Sequence, residues 1–166
     1  MTRCAYARRK PTRRSPHKEL TMHQRRRFLI AALTLALPLP AIASDIPIKI
    51  YRNPNCGCCD VYARYLKGEG FAVDVIDTFD PAPIHRKYGV PERLEGCHTA
   101  LAEGYVFEGL IPAQYIKQVI QERRPIKGLS VPGMPVGAPG MPGAKRGAIA
   151  VYQLDTSSAS KVFASF

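Results

Sequence analysis

Residues 46–67 read IPIKIYRNPNCGCCDVYARYLK, and this stretch decides the fold. Ile46 to Arg52 alternates apolar and polar and carries β-branched residues, the period of a strand. Asn53-Pro54-Asn55 then turns the chain. From Cys59 to Lys67 the apolar residues Val61, Tyr62, Tyr65 and Leu66 fall at i, i+1, i+4 and i+5, one face of a helix stopped by Gly68 and Gly70. Cys56, Cys58 and Cys59, three of the chain's five cysteines, therefore stand at a strand-to-helix junction. Free N–H groups and the dipole at a helix start stabilise thiolates, and Cys58 and Cys59 are placed to gain this.

Outward from that junction the pattern continues. Phe71 to Asp77 alternates again as a second strand. Asp80 caps a short helix that begins with Pro81, includes Ile84 to Tyr88 and ends at Gly89 before Pro91. Thr99 to Ala102 is a third strand, Glu103-Gly104 a hairpin turn, Tyr105 to Gly109 a fourth strand. Pro112 opens a helix over Ala113 to Arg123, with Tyr115, Ile116, Val119 and Ile120 on its apolar face. The order β, α, β, α, β, β, α predicts an α/β thioredoxin-like sandwich with a central four-stranded mixed sheet and a C-terminal β-rich extension. That extension comprises a Gly/Pro/Met loop over 128–147, a strand over Ala148 to Asp155, a turn at Thr156-Ser157-Ser158 and a short apolar end, Val162-Phe163. The terminal strands are expected to form a hairpin against the sheet.

Charge separates the chain into parts. Residues 1–43 carry ten lysines and arginines against one acid, so +9 of the net +11 lies there and only +2 in residues 44–166. The basicity belongs to the leader, which argues against nucleic-acid binding. Arg25-Arg26-Arg27, the apolar run Phe28 to Leu39 and Ala41-Ile42-Ala43 have the order of a secretory signal over 22–43, cleaved near Ala43. The run falls short of the about 20 residues that span a bilayer, so no membrane attachment is expected after cleavage. The arginines also fit a twin-arginine pattern. Met22 is a suitable initiator, which makes residues 1–21 a disordered extension or an untranslated upstream start. Residues 44–166 then form one exported domain, located in the periplasm.

That domain holds Cys56, Cys58, Cys59 and Cys97, and thiols in an oxidising compartment pair or are protected by metal. In a thioredoxin-like fold the loop Gly96-Cys97-His98 falls beside the first strand-to-helix turn, which brings four sulfurs to one place. Four thiolates suit zinc in a closed tetrahedral site, or copper(I), which accepts two or three sulfurs and forms sulfur-bridged clusters. Structural zinc sites usually use paired C-x2-C units, which this chain lacks, so copper(I) is preferred. His98 is a candidate ligand or orienting group, against the ordinary reading of a solvated loop histidine. Met134 and Met141 each sit in Pro-Gly-Met-Pro, at 132–135 and 139–142; their thioethers favour copper(I), against the plainer reading of linker residues covering an apolar patch. Arg52, Lys145 and Arg146 read as solvated basic surface.

These residues resemble the CopG-like family of small periplasmic thioredoxin-like proteins associated with copper resistance, long catalogued as a domain of unknown function. The resemblance rests on Tyr51 with Pro54-Asn55-Cys56-Gly57-Cys58-Cys59, Gly96-Cys97-His98-Thr99, Gly104-Tyr105, Glu108-Gly109, Pro112, Gly128 to Pro135, Gly137 and Pro139-Gly140-Met141. It covers most of residues 46–154. It implies a copper-binding cysteine site, a part in periplasmic copper handling and redox interconversion of copper(I) and copper(II). One departure is Pro142, where the family pattern leads to an acid.

The leading expectation is a copper-resistance protein that holds copper(I) through Cys56, Cys58, Cys59 and Cys97, with Met134 or Met141 capping or relaying the ion to an export pump or chaperone. No catalytic residue is assigned. The alternative is a thiol-disulfide oxidoreductase with Cys56 attacking and Cys59 resolving, which leaves Cys58 and both methionines without a role.

Overall fold

The computed structural model describes residues 45–155 and 161–166. The extension over 1–21, the signal over 22–43 with its cleavage near Ala43, and the turn at Thr156-Ser157-Ser158 lie outside the described residues. No helix among the described residues is long and apolar enough to cross a membrane.

The protein is mixed α/β, with three α-helices and one seven-stranded mixed sheet among the described residues. The strands are β1 (Ile46–Arg52), β2 (Phe71–Asp77), β3 (His98–Ala102), β4 (Tyr105–Gly109), β5 (Gly128–Val131), β6 (Ala150–Leu154) and β7 (Val162–Ser165). The helices are α1 (Gly57–Gly68), α2 (Ala82–Tyr88) and α3 (Ala113–Gln121), with a 3₁₀ turn at Glu92–Leu94. Spatial order is β2-β1-β3-β4-β5-β6-β7. The pairs β1/β2 and β4/β5 are parallel and the other four antiparallel. The Glu103-Gly104 turn has both residues at positive φ, 49° and 83°, as a two-residue hairpin with right-handed strand twist demands.

Two expectations need correction. The four expected strands are one side of a larger sheet, and β5, β6 and β7 extend that sheet instead of forming an appendage. The terminal hairpin, β6 with β7, accordingly lies in the sheet and not against it. The missing link was β5, hidden in the Gly/Pro-rich loop because Gly128–Val131 is buried along its whole length and shows no alternation. The helix face also differs. Burial on α1 falls on Cys59, Tyr62, Ala63 and Leu66, spaced i, i+3, i+4 and i+7, while Val61 is 43% exposed. A cysteine counts as apolar there, which rotates the buried face toward the sulfur-bearing turn.

The core joins Tyr62 and Leu66 of α1 to Ile48 and Ile50 of β1, Phe107 of β4, Leu129 of β5 and Ile116 and Val119 of α3. Tyr62 is fully buried, and its hydroxyl donates to the Ile111 carbonyl at 2.8 Å. Tyr62→Phe leaves that carbonyl without its partner, so it is expected to cost about 1–3 kcal/mol in a urea titration. An unchanged midpoint would mean that the bond contributes nothing net.

Candidate metal centre

The site is built from two segments that the register of β1 and β3 brings together. Arg52, the last residue of β1, pairs with His98, the first of β3, so Cys97 and the turn after Arg52 occupy the same end of the sheet. In that turn Asn53 Oδ1 accepts the Asn55 N–H at 2.9 Å, and the Asn53 carbonyl accepts the Cys56 N–H at 3.0 Å. Cys56 is the extended residue before α1, and its carbonyl accepts the Cys59 N–H at 3.1 Å. Arg52 braces the turn: its guanidinium lies 3.0 Å from Asp60 and 3.3 Å from Asp77. It is a largely buried tie between α1 and β2, not the solvated surface expected.

The sulfurs of Cys56, Cys58, Cys59 and Cys97 all lie within 4.8 Å of one another, and all four cysteines are free. Cys58 is the hub, with its Sγ 3.1 Å from Cys56 Sγ, 3.7 Å from Cys97 Sγ and 3.9 Å from Met134 Sδ. Buried Cys59 lies 3.7 Å from Cys97 Sγ. Metal–sulfur bonds of about 2.3 Å in a tetrahedron separate the sulfurs by about 3.8 Å. The two 3.7 Å edges meet that value already, and the 3.1 Å edge need only open by under about 1 Å. The donors therefore fit a metal ion, and an all-sulfur set is soft.

The charge falls on a different residue from the one the helix start suggests. Cys97 is drawn down to about 4, first by the thiol of Cys59 donating to it and then by His98 and Cys58. Cys58 is pushed up to about 12, mainly by burial and then by its contacts with Cys56 and Cys97. Cys59 is also raised, chiefly because its proton is donated to Cys97. Crowding thus draws the charge to Cys97 and leaves the proton on Cys58 and Cys59, overriding the helix start there.

His98 is 1% exposed, not a solvated loop residue. Its Nδ1 lies 3.2 Å from Cys97 Sγ and 3.7 Å from Cys59 Sγ, and its ring packs 4.6 Å from that of Tyr62. The two Pro-Gly-Met-Pro copies differ in part. The first carries Met134, 54% exposed, to Cys58. The second seats its backbone on α1: a Cβ on Gly140, whose φ is +96°, would lie 2.9 Å from the Cys58 carbonyl oxygen and 3.1 Å from Tyr62 Cβ. Met141 packs against the core and, with Gly57, Cys58, Val61 and Pro142, lines an apolar cleft of about 480 Å³. A larger cleft of about 660 Å³, between Arg93, Tyr152 and Arg146, holds no cysteine; the donor set, not cavity size, locates the chemistry.

Beneath Cys97 lies a buried polar group that pattern reading overlooked. Glu108 of β4 is fully buried; its Oε1 accepts the Gly96 N–H at 2.8 Å and its Oε2 accepts the Thr99 hydroxyl at 2.7 Å. His85 of α2, also buried, places Nε2 3.3 Å from Glu108 and Nδ1 3.0 Å from Glu95. The available signal was an acid inside the short apolar strand Tyr105–Gly109, a residue rarely buried unless paired. Contact with Glu108, helped by Glu95 and opposed by burial, holds His85 above the ordinary imidazole value of 6.5. A folded value above the unfolded one gives a contribution complete below 6.5 and lost as pH rises through the raised value. The metal-free protein should therefore lose thermal stability as pH climbs from below 6.5 through neutrality, and His85→Gln should flatten that slope. Identical slopes in the two proteins would remove His85 from the pH response.

Comparison with known proteins agrees with this architecture. The family model described as "Protein of unknown function, DUF411" matches residues 94–141, a span that includes Cys97, His98, Met134 and Met141. Two solved structures titled copper resistance protein CopG, forms 2 and 1, are each 35% identical, with a TM-score of 0.68 over 74% of this chain and 99% and 98% of theirs. No curated protein sequence matches. With a four-cysteine cluster at the end of a mixed sheet and CopG matched along nearly its whole length, the chain belongs to the DUF411 family of CopG-like proteins.

Proposed function

We propose that the protein is a periplasmic copper-binding protein of copper resistance, holding copper(I) through Cys56, Cys58, Cys59 and Cys97, with Met134 as an outer thioether and His98 orienting Cys97. The observation that carries the reading is Cys58, within 4 Å of two further cysteine sulfurs and the Met134 thioether. Thioether with thiolate is a soft set that suits copper(I) better than zinc. The titles of the matched structures point the same way. We read β2-β1-β3-β4, with α1 joining the parallel pair β1/β2, as the thioredoxin-like part. Export rests on the leader sequence. Met141, packed against the core, acts as a wall of the cleft beside Cys58, through which an export pump or chaperone would reach the ion. Binding and hand-over of the ion are the proposed role.

The test is metal content by elemental mass spectrometry on mature protein purified anaerobically from a periplasm given copper and zinc, with thiols counted before and after chelation. Copper at one or more per chain with protected thiols supports the reading. Zinc alone, or no metal with a Cys56–Cys59 disulfide, overturns it, the latter in favour of thiol-disulfide exchange. Because Cys58 and Cys59 are both raised, binding must displace their protons. Copper(I) affinity is therefore expected to rise by at least about 100-fold per pH unit near neutrality, since at least two protons leave per binding event. A flat profile in chelator competition would mean that these thiols do not bind the ion.

A further inference from the structure

The segment that carries Cys97 is held on three sides by groups that do not touch the metal site. Glu108 accepts the Gly96 N–H from below, and its other oxygen is fixed by the Thr99 hydroxyl. His85 bridges Glu108 to Glu95, the residue before Gly96. Gly96 itself lies against β4: an added Cβ would be 2.6 Å from Gly109 Cα. The same segment also holds the strap after β5. Ser130 donates to the Leu94 carbonyl at 2.6 Å, the Gly133 N–H donates to the Glu95 carbonyl at 3.0 Å, and Gly96 bridges to Gly133. Met134 follows Gly133 directly. One buried carboxylate thus sits at the junction of two segments, each bringing a sulfur to Cys58 from outside α1.

We infer that Glu108, braced by His85 and Thr99, is a positioning residue for the metal site, setting Cys97 and Met134 together relative to Cys58. The inference rests on the copper-binding reading above for its consequence, and on the hydrogen-bond geometry alone for its cause. A buried carboxylate is costly unless every oxygen has a partner, and here both do. Outer partners that orient ligands typically contribute roughly 10- to 100-fold to metal affinity. Glu108→Gln keeps the side-chain carbonyl for Gly96 and removes the charge that His85 faces. Thr99→Val removes the second anchor without changing shape and serves where the first variant does not fold.

The experiment is a double-variant cycle on copper(I) affinity, by chelator competition, over Glu108→Gln, Met134→Leu and their combination. Glu108→Gln is expected to bind copper(I) roughly 10- to 100-fold more weakly while still unfolding cooperatively. The combination should be no weaker than the weaker single variant, because Met134 has no defined position once the junction is loose. Losses that multiply, or an affinity for Glu108→Gln equal to wild type, overturn the inference. A second readout needs no metal: the alkylation rate of Cys97 in the metal-free protein, followed by peptide mass spectrometry. Glu108→Gln should raise that rate roughly tenfold, since a segment freed of its anchors opens more often. If wild type binds no copper, the copper reading fails and the alkylation rate still decides the positioning role, an unchanged rate rejecting it.

Discussion

Cys97→Ser is expected to weaken copper(I) binding by more than about 100-fold, the upper figure for loss of a mere orienting partner, which loss of a ligand must exceed. Cys97 meets both Cys58 and Cys59, each 3.7 Å away, and His98 Nδ1 at 3.2 Å. It is also drawn down to about 4, while Cys58 and Cys59 are raised. Under the proposed function it is the thiolate that an arriving ion would meet first. Serine is near in size, so the fold should survive, but a hydroxyl is a hard, neutral donor that a soft ion disfavours. Met134→Leu should cost less, because Met134 stands at the exposed edge and reaches Cys58 alone in the cluster. Competition with a chromophoric chelator ranks the two. Undiminished stoichiometry and affinity in Cys97→Ser would remove Cys97 from the site.

The largest stability effect belongs to a position outside the site. Gly128→Ala should destabilise the protein by more than about 4 kcal/mol, a size reserved for a named steric or polar defect. Gly128 opens β5 opposite Val106 of β4, and a Cβ there would lie 1.7 Å from the Val106 carbonyl oxygen and 2.6 Å from its carbon. Those are backbone atoms of a central strand pair, so no rotamer change relieves the overlap; β4 and β5 must part. Every residue of β5 is buried, and the strap bearing Met134 leaves its end, so the damage reaches the metal site as well. A melting temperature lowered by the order of 10–20 °C is expected for a domain of this size. Gly68→Ala is the control, since a Cβ there meets nothing within 4 Å. Equal melting temperatures for Gly128→Ala and this control would show that the sheet accommodates the methyl group.

Local pattern alone determined much. The alternation of Ile46–Arg52 and Phe71–Asp77 marked β1 and β2 with their observed bounds. Glu103-Gly104 announced the β3/β4 hairpin, and the Cys-Gly-Cys-Cys run at a strand-to-helix junction announced sulfur chemistry. These signals are short in range: side-chain period, turn chemistry and ligand type are properties of neighbouring residues. Pairing decided the rest. Opposing Arg52 to His98 carries Cys97 to Cys58 across 39 positions of chain, and opposing Gly128 to Val106 makes one sheet where a sheet and an extension were expected. Met134 and Met141 sit in identical tetrapeptides, yet one reaches Cys58 and the other packs on the core, because only tertiary placement tells them apart. The same holds for charge. A helix start favours a thiolate at Cys58 or Cys59, but which of four crowded sulfurs gives up its proton depends on which accepts the most hydrogen bonds. That is settled by distances between segments far apart in sequence, and it selects Cys97.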